Sequence, residues 1–291
     1  MAIISELCGN WDGSKDLLFD MVTESAKAGA SFVKIQTFYA KDLAPAWQDS
    51  YDRIKKLELT EDDHRRFVEH CNVYKITPMT TIYSPEYLSM LGQVGFRWIK
   101  IGSPQVTDTN LIRLITGLGF KVIVSTGGHL VHSLPAYLNV QGVLHCVSKY
   151  PHKSNESNLM RMVELKGRYP NCSIGWSDHS DPTTSDWATP SIQAMALGAK
   201  FIEKHFTLID RKDTKDGCVS ITTNQLAYLC SIDRMSLHDK RQLLSPELRP
   251  LSSEQSKEEI ELITKYKGRW NEFDYTVSED TEESESTEGA V

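Results

Sequence analysis

His179 and His205 each close a short apolar run, Cys172-Ser-Ile-Gly-Trp-Ser-Asp-His179 and Lys200-Phe-Ile-Glu-Lys-His205. Both runs read as buried strands, and the stretch 185–197 between them reads as a helix. Consecutive parallel strands joined by a helix lie side by side and point the same way. Their C-terminal ends, and both imidazoles, therefore meet on one face. Imidazoles beside carboxylates, here Asp178 and Glu203, suit a divalent metal in a site with open positions. The plainer alternative is that each His caps a strand or satisfies a buried hydrogen bond.

A second chemistry is carried by two lysines. Lys34 lies inside Phe-Val-Lys-Ile-Gln and Lys100 inside Trp-Ile-Lys-Ile-Gly. Lysine is rarely buried without an anionic partner. An internal ion pair, Lys34 with Glu6, is the plain reading. The sharper one is a cradle for phosphate, with both ammonium groups joined by hydroxyls from several strand ends. Thr80, Thr81, Ser103, Ser125, Thr126, Ser148 and Ser177 supply those hydroxyls, and no Gly-rich phosphate loop is present. Gln36, His145 and Tyr150 stand at the same ends.

These residues need a scaffold that brings many strand ends together. Eight strands are predicted, at 2–7, 31–36, 77–81, 98–101, 121–125, 142–147, 172–176 and 200–204. Amphipathic stretches follow them at 16–28, 61–74, 85–91, 110–118, 159–168, 185–197 and 225–235. This α/β rhythm predicts a single-domain (β/α)8 TIM barrel, in which chemistry sits at the C-terminal strand ends. Gly29-Ala30 and Gly198-Ala199 precede strands, as helix C-caps with tight turns should. No Gly-x-Gly-x-x-Gly follows the first strand, which counts against a dinucleotide site. The barrel is expected over 1–251, with a helix or linker at 252–270 and a disordered acidic tail at 271–291.

Composition excludes several classes. Of 291 residues, 40% are hydrophobic and 24% charged, ordinary globular values. The net charge of −7 is concentrated in the tail, where 278–291 carries six acidic residues and no basic one. The remaining body is nearly neutral, so neither nucleic acid nor an anionic membrane is an expected partner. No apolar run approaches the roughly 18 residues of a membrane span. The six cysteines form no CxxC pair. With no charged n-region at the start, they indicate a reducing, cytoplasmic setting.

Taken together, the motifs resemble the sialic acid synthase family. The likeness covers about 4–220. It includes Glu6-Leu-Cys-Gly-Asn-Trp-Asp-Gly-Ser, Ala28-Gly-Ala-Ser-Phe-Val-Lys-Ile-Gln-Thr, Ile99-Lys-Ile-Gly-Ser and Val124-Ser-Thr-Gly. It continues through Leu144-His-Cys-Val-Ser-Lys-Tyr-Pro, Gly175-Trp-Ser-Asp-His and Ala196-Leu-Gly-Ala-Lys-Phe-Ile-Glu-Lys-His-Phe-Thr. The resemblance implies a metal-dependent condensation of phosphoenolpyruvate with an aldehyde. It places a divalent ion, Mn2+ or Mg2+, on His179 and His205. It places the phosphate and carboxylate on Lys34, Thr81, Lys100, Ser103, Ser125 and Ser177, and the sugar on Gln36, Tyr150 and Asp216. Glu6 falls near the reacting centre as the candidate for the proton of the attacking water.

Departures fall mainly on the acceptor side. Gln105 stands where the family has a carboxylate near the aldehyde, and Ser148 where it has an Asn on phosphoenolpyruvate. Asn10-Trp11 replaces Asn-His, and the segment after the second strand reads as short. The chain ends in an acidic tail where the family continues into an antifreeze-like domain that reaches a partner's site. These features predict an acceptor other than the usual N-acetylated hexosamine, and leave open a homodimer or a separate partner domain. Two other readings stay open: an aldolase using Lys34 or Lys100 as a Schiff base, and a non-catalytic relative that binds a phosphorylated ligand and needs a partner chain.

Overall fold

In the computed structural model, which describes residues 1–43, 50–136 and 138–243, eight parallel strands close into a barrel in sequence order. They are β1 (Ala2–Glu6), β2 (Phe32–Thr37), β3 (Thr77–Ile82) and β4 (Trp98–Ile101), then β5 (Lys121–Ser125), β6 (Gly142–Cys146), β7 (Ser173–Asp178) and β8 (Phe201–His205). All eight fall where the sequence predicts them. β7 runs two residues further than expected, which carries Asp178 into the sheet and leaves His179 just beyond it. The helix expected at 185–197 begins at Thr189, because Pro190 suits the first turn of a helix. The stretch 85–91 starts as a 3-10 turn, Pro85–Tyr87, before the helix Leu88–Val94. The expected C-cap glycines behave as such: Gly29 and Gly198 adopt φ of 95° and 92°, which a side chain would resist. The assignments to 252–270 and 271–291 lie outside the described residues.

The barrel interior is layered, and the layering follows from the period-2 alternation of a strand. Ile4, Phe32, Met79, Ile123, Leu144 and Phe201 form an apolar floor. Phe32, Trp98 and Phe201 pack edge-to-face across it, with ring centroids 5.0–6.3 Å apart. Burying each such side chain stabilises the fold by about 1.5–3 kcal/mol. Two residues further along the same strands the character changes. Glu6 follows Ile4, Lys34 follows Phe32, Thr81 follows Met79, Ser125 follows Ile123 and Glu203 follows Phe201. A polar layer thus rests on an apolar one, and the next step up reaches Gln36 and His205. The strand registers place Glu6 beside both Lys34 and His205, Thr81 beside Lys100, and Ser177 beside Glu203.

A second, larger apolar cluster lies between the strands and the surrounding helices. The helix Lys15–Ala28 is capped by Ser14, and Glu61–Val73 by a Thr60–Asp63 capping box. Between β2 and that second helix the described residues include the short helices Ala40–Leu43 and Tyr51–Lys55. The segment read as short therefore has structure of its own over the barrel mouth. No helix among the described residues is long and apolar enough to cross a membrane.

Candidate active site at the mouth of the barrel

At the C-terminal ends of the strands the polar layer opens into a cavity of about 970 Å³. Its base is a buried quartet of charges. Lys34 Nζ pairs with Glu6 Oε2, lies 3.7 Å from Glu203 Oε2 and donates to Thr81 Oγ1 at 2.9 Å. Lys100 Nζ pairs with Glu203 Oε1, which also accepts from Ser177 Oγ at 2.9 Å. The internal ion pair and the cavity-facing lysine are thus both present. Two ammonium groups and two carboxylates balance, which is how so much buried charge is tolerated. The balance is uneven in detail. Burial pulls the Lys34 ammonium down to about 7, with Glu203 opposing and Lys100 reinforcing the fall. Burial works to raise Glu203, but the ammonium groups of Lys100 and Lys34 overcome it and hold the carboxyl well below its usual range.

One wall is lined by hydroxyls. Ser103 Oγ accepts the Gly127 N–H at 2.9 Å, and its carbonyl accepts from His129 Nε2 at 3.2 Å. A Cβ on Gly127 would lie 2.3 Å from Ser148 Oγ and 2.8 Å from Ser103 Oγ, so only glycine lets this wall close. Ser125 Oγ is buried and has no hydrogen-bond partner among the described residues. Buried polar atoms are nearly always satisfied. An unsatisfied hydroxyl in a cavity lined also by two lysines is chemistry that suits an anion.

The opposite corner holds the histidines. His179 donates Nδ1–H to the Val147 carbonyl at 2.7 Å, which fixes the tautomer and leaves Nε2 as an acceptor. Tyr150 donates its hydroxyl to that Nε2 at 2.8 Å and stacks on the ring. The His205 ring is centred 5.5 Å from that of His179. Its Nδ1 is buried without a hydrogen-bond partner among the described residues, 3.7 Å from Asp216 Oδ2. Burial depresses both imidazoles, His205 to about 4 and His179 well below its usual range, so both are neutral donors at neutral pH. Cys8 Sγ donates to Asp216 Oδ2 at 2.7 Å. The donor set and the unsatisfied nitrogen fit a divalent cation.

Most of the sequence-named residues converge on this cavity. Glu6, Lys34, Gln36, Thr81, Lys100, Ser103, Ser125, Ser148, Tyr150, Ser177, His179, His205 and Asp216 all line it. Gln105 does not. It is buried in the 3-10 turn Ser103–Gln105 and donates Nε2 to the Tyr83 carbonyl at 3.1 Å. The turn carries its side chain away from the mouth, so its expected place at the reacting centre is corrected. Asp216, expected on the sugar side, stands against Cys8 and His205. Sequence reasoning missed Cys8 as a cavity residue. It also missed Arg53 and Lys215, which add positive charge at the outer end. The signal for Cys8 was its place two residues beyond Glu6.

The mouth at the C-terminal strand ends is where a (β/α)8 barrel carries its chemistry. The NeuB family model matches residues 21–238. An N,N'-diacetyllegionaminic acid synthase of Campylobacter jejuni is 31% identical over 253 residues, spanning 79% of this chain and 74% of that one. A pseudaminic acid synthase of the same species is 30% identical over 257 residues, spanning 80% and 73%. The crystal structure of an N-acetylneuraminic acid synthetase from Leptospira borgpetersenii, in complex with citrate, superposes with a TM-score of 0.74. It is 27% identical and the match covers 90% of each chain. The chain belongs to the NeuB family and is an enzyme of this synthase class.

Proposed function

We propose that the barrel, residues 1–251 acting as one domain, condenses phosphoenolpyruvate with a sugar-like aldehyde. The products are a 3-deoxy-2-keto acid of the nonulosonic type and inorganic phosphate. The observation that carries the reading is the unsatisfied Ser125 hydroxyl in a cavity lined as well by Lys34, Lys100 and the two neutral imidazoles. The synthase names of the relatives support it. Free cysteines, five of them buried, support a reducing cytoplasmic setting.

In this reading Lys34 and Lys100 neutralise the phosphate and carboxylate, and Ser103, Ser125 and Ser177 with Thr81 fix their angle. That leaves carbon 3 free to attack the aldehyde carbon. His179 and His205 hold a divalent ion, manganese or magnesium, which when bound supplies Lewis-acid polarisation of the aldehyde oxygen. Gln36 and Tyr150 face the acceptor. Water then adds to carbon 2, and phosphate departs as the keto group forms. Glu6 accepts the water proton, and Lys34 against its Oε2 keeps it ionised beforehand, as a proton acceptor must be. The expectation of an unusual acceptor loses one support, since Gln105 does not reach the cavity. A new support comes from Arg53 and Lys215, which would favour an acceptor bearing negative charge.

The direct test is phosphate release from phosphoenolpyruvate with and without a panel of aldehydes, with the keto acid identified by mass. Release that requires an aldehyde and a divalent ion is expected. A Schiff-base aldolase, which a lysine titrating near 7 could serve, would instead be trapped on Lys34 or Lys100 by borohydride. A covalent adduct there would overturn the proposal.

The Lys34 ammonium also sets a pH dependence. Its depressed value means that the charged form dominates below about 7 and is lost above it. Because that form binds the anion, kcat/KM for phosphoenolpyruvate should hold level on the acid side. It should fall toward about tenfold per pH unit as pH rises through 7, since kcat/KM reports the free enzyme. A level profile across that range would show that the ligand-free ammonium is not the binding form.

A further inference from the structure

We infer that Cys8 is a third protein ligand of the cation at this mouth, and that it directs the site toward a thiophilic divalent ion, such as zinc or iron(II), over manganese or magnesium. The inference rests on the metal-site reading above and refines it.

Three donors stand together without any rearrangement. Cys8 Sγ, a ring nitrogen of His205 and a carboxylate oxygen of Asp216 all lie within 4.8 Å of one another. A thiol beside a carboxylate would by itself be only a hydrogen bond. The second observation is His205. It is 5% exposed, and its Nδ1 has no hydrogen-bond partner among the described residues although it lies 3.7 Å from Asp216 Oδ2. A buried lone pair or N–H of this kind is rare in a native interior. A cation between the sulfur, the nitrogen and the carboxylate would satisfy all three.

The chain also holds Cys8 in place. Its φ is +44°, a conformation unusual for a residue with a side chain. The backbone is pinned there by two contacts. Cys8 N–H donates to Glu6 Oε1 at 2.6 Å, and the buried Trp11 donates Nε1–H to the Cys8 carbonyl at 3.0 Å. The thiol is thereby kept among the cavity-lining groups rather than in the apolar core.

Ligand chemistry then decides the metal. Two imidazoles alone leave the choice of ion open, and oxygen ligands favour manganese and magnesium. A thiolate is soft and selects zinc, iron(II) or cobalt(II). One sulfur, one nitrogen and one oxygen already form a set suited to zinc, and His179 would join it as a second nitrogen once Tyr150 releases its Nε2. When the sulfur binds, the proton it now gives to Asp216 passes to solvent, as metal binding to a thiol requires.

The test uses the full chain, stripped by a chelator and then titrated with Co2+. One equivalent should produce a near-ultraviolet thiolate-to-cobalt charge-transfer band. The band should vanish in Cys8→Ser and persist in Cys218→Ser, which removes the exposed cysteine of the same cavity. In competition the wild type should prefer Zn2+ to Mn2+ by a wider margin than Cys8→Ser does, since every such site favours zinc to some degree. Cys8→Ser should lose at least the roughly 10–100-fold in zinc affinity that removal of a mere outer-shell partner costs. Cobalt bound at one equivalent without the band overturns the role of Cys8 and leaves the metal-site reading standing. A band that survives Cys8→Ser but is lost in Cys218→Ser does the same. Failure of the wild type to bind any of the three ions overturns both. Because the wild type and Cys218→Ser together supply the first readout, the inference stays testable even where Cys8→Ser folds poorly.

Discussion

Lys100→Met should weaken phosphoenolpyruvate binding by about 2–5 kcal/mol, the usual cost of breaking a desolvated charge pair. Two effects act in the same direction. The variant loses an ammonium that faces the cavity, and it strips Glu203 of its nearest cation. Glu203 would keep only Ser177 at 2.9 Å and Lys34 at 3.7 Å. The quartet then carries a net negative charge, which repels the anion. The free protein should lose stability as well, since an uncompensated buried carboxylate costs several kcal/mol. The double variant Lys100→Met/Glu203→Gln separates the two effects. It restores neutrality, so stability should largely recover, while affinity should stay low because the direct contact is gone. Isothermal titration with phosphoenolpyruvate and a denaturant melt of each variant give the answer. Unchanged affinity in Lys100→Met would remove Lys100 from the anion site.

This quartet shows how far the sequence could be read. A lysine inside an apolar run announces a buried cation, and Lys34 and Lys100 were legible for that reason. Their registers were legible too, because period-2 alternation lifts each polar residue one layer above an apolar one. Which carboxylate pairs with which lysine was only half legible. Glu6 beside Lys34 follows from neighbouring strands. Lys100 with Glu203 joins β4 to β8 across the barrel interior, a contact that no local pattern encodes. Loops were less readable than strands. Gln105 was placed by the family resemblance, which says nothing of the 3-10 turn that directs it to the Tyr83 carbonyl. Cys8 was given no role of its own in the sequence reading. Its left-handed backbone, which keeps the thiol in the cavity, depends on Glu6 and Trp11 and has no signature in the run itself. Asp216 lies more than two hundred residues from Cys8, and only closure of β8 against β1 brings them together.

The two histidines, legible from the start, carry the other large expected effect, and they should behave differently. His205→Ala should reduce metal-dependent turnover by at least about two orders of magnitude, since Lewis-acid stabilisation contributes several kcal/mol to such a step. It should cost little stability, within about 1 kcal/mol, because the His205 Nδ1 gives up no hydrogen bond and the ring borders a cavity that water can fill. His179→Ala should impair turnover equally but cost more stability. It leaves the buried Val147 carbonyl, now bonded at 2.7 Å, without its donor, and removes the ring on which Tyr150 stacks. An unsatisfied buried carbonyl alone costs about 1–3 kcal/mol. Denaturant melts and metal titrations on both variants test the contrast. Were His205→Ala to retain metal-dependent turnover, the cation would have to lie elsewhere. Were it to unfold the chain while His179→Ala did not, the unsatisfied nitrogen would be holding the fold rather than awaiting a metal.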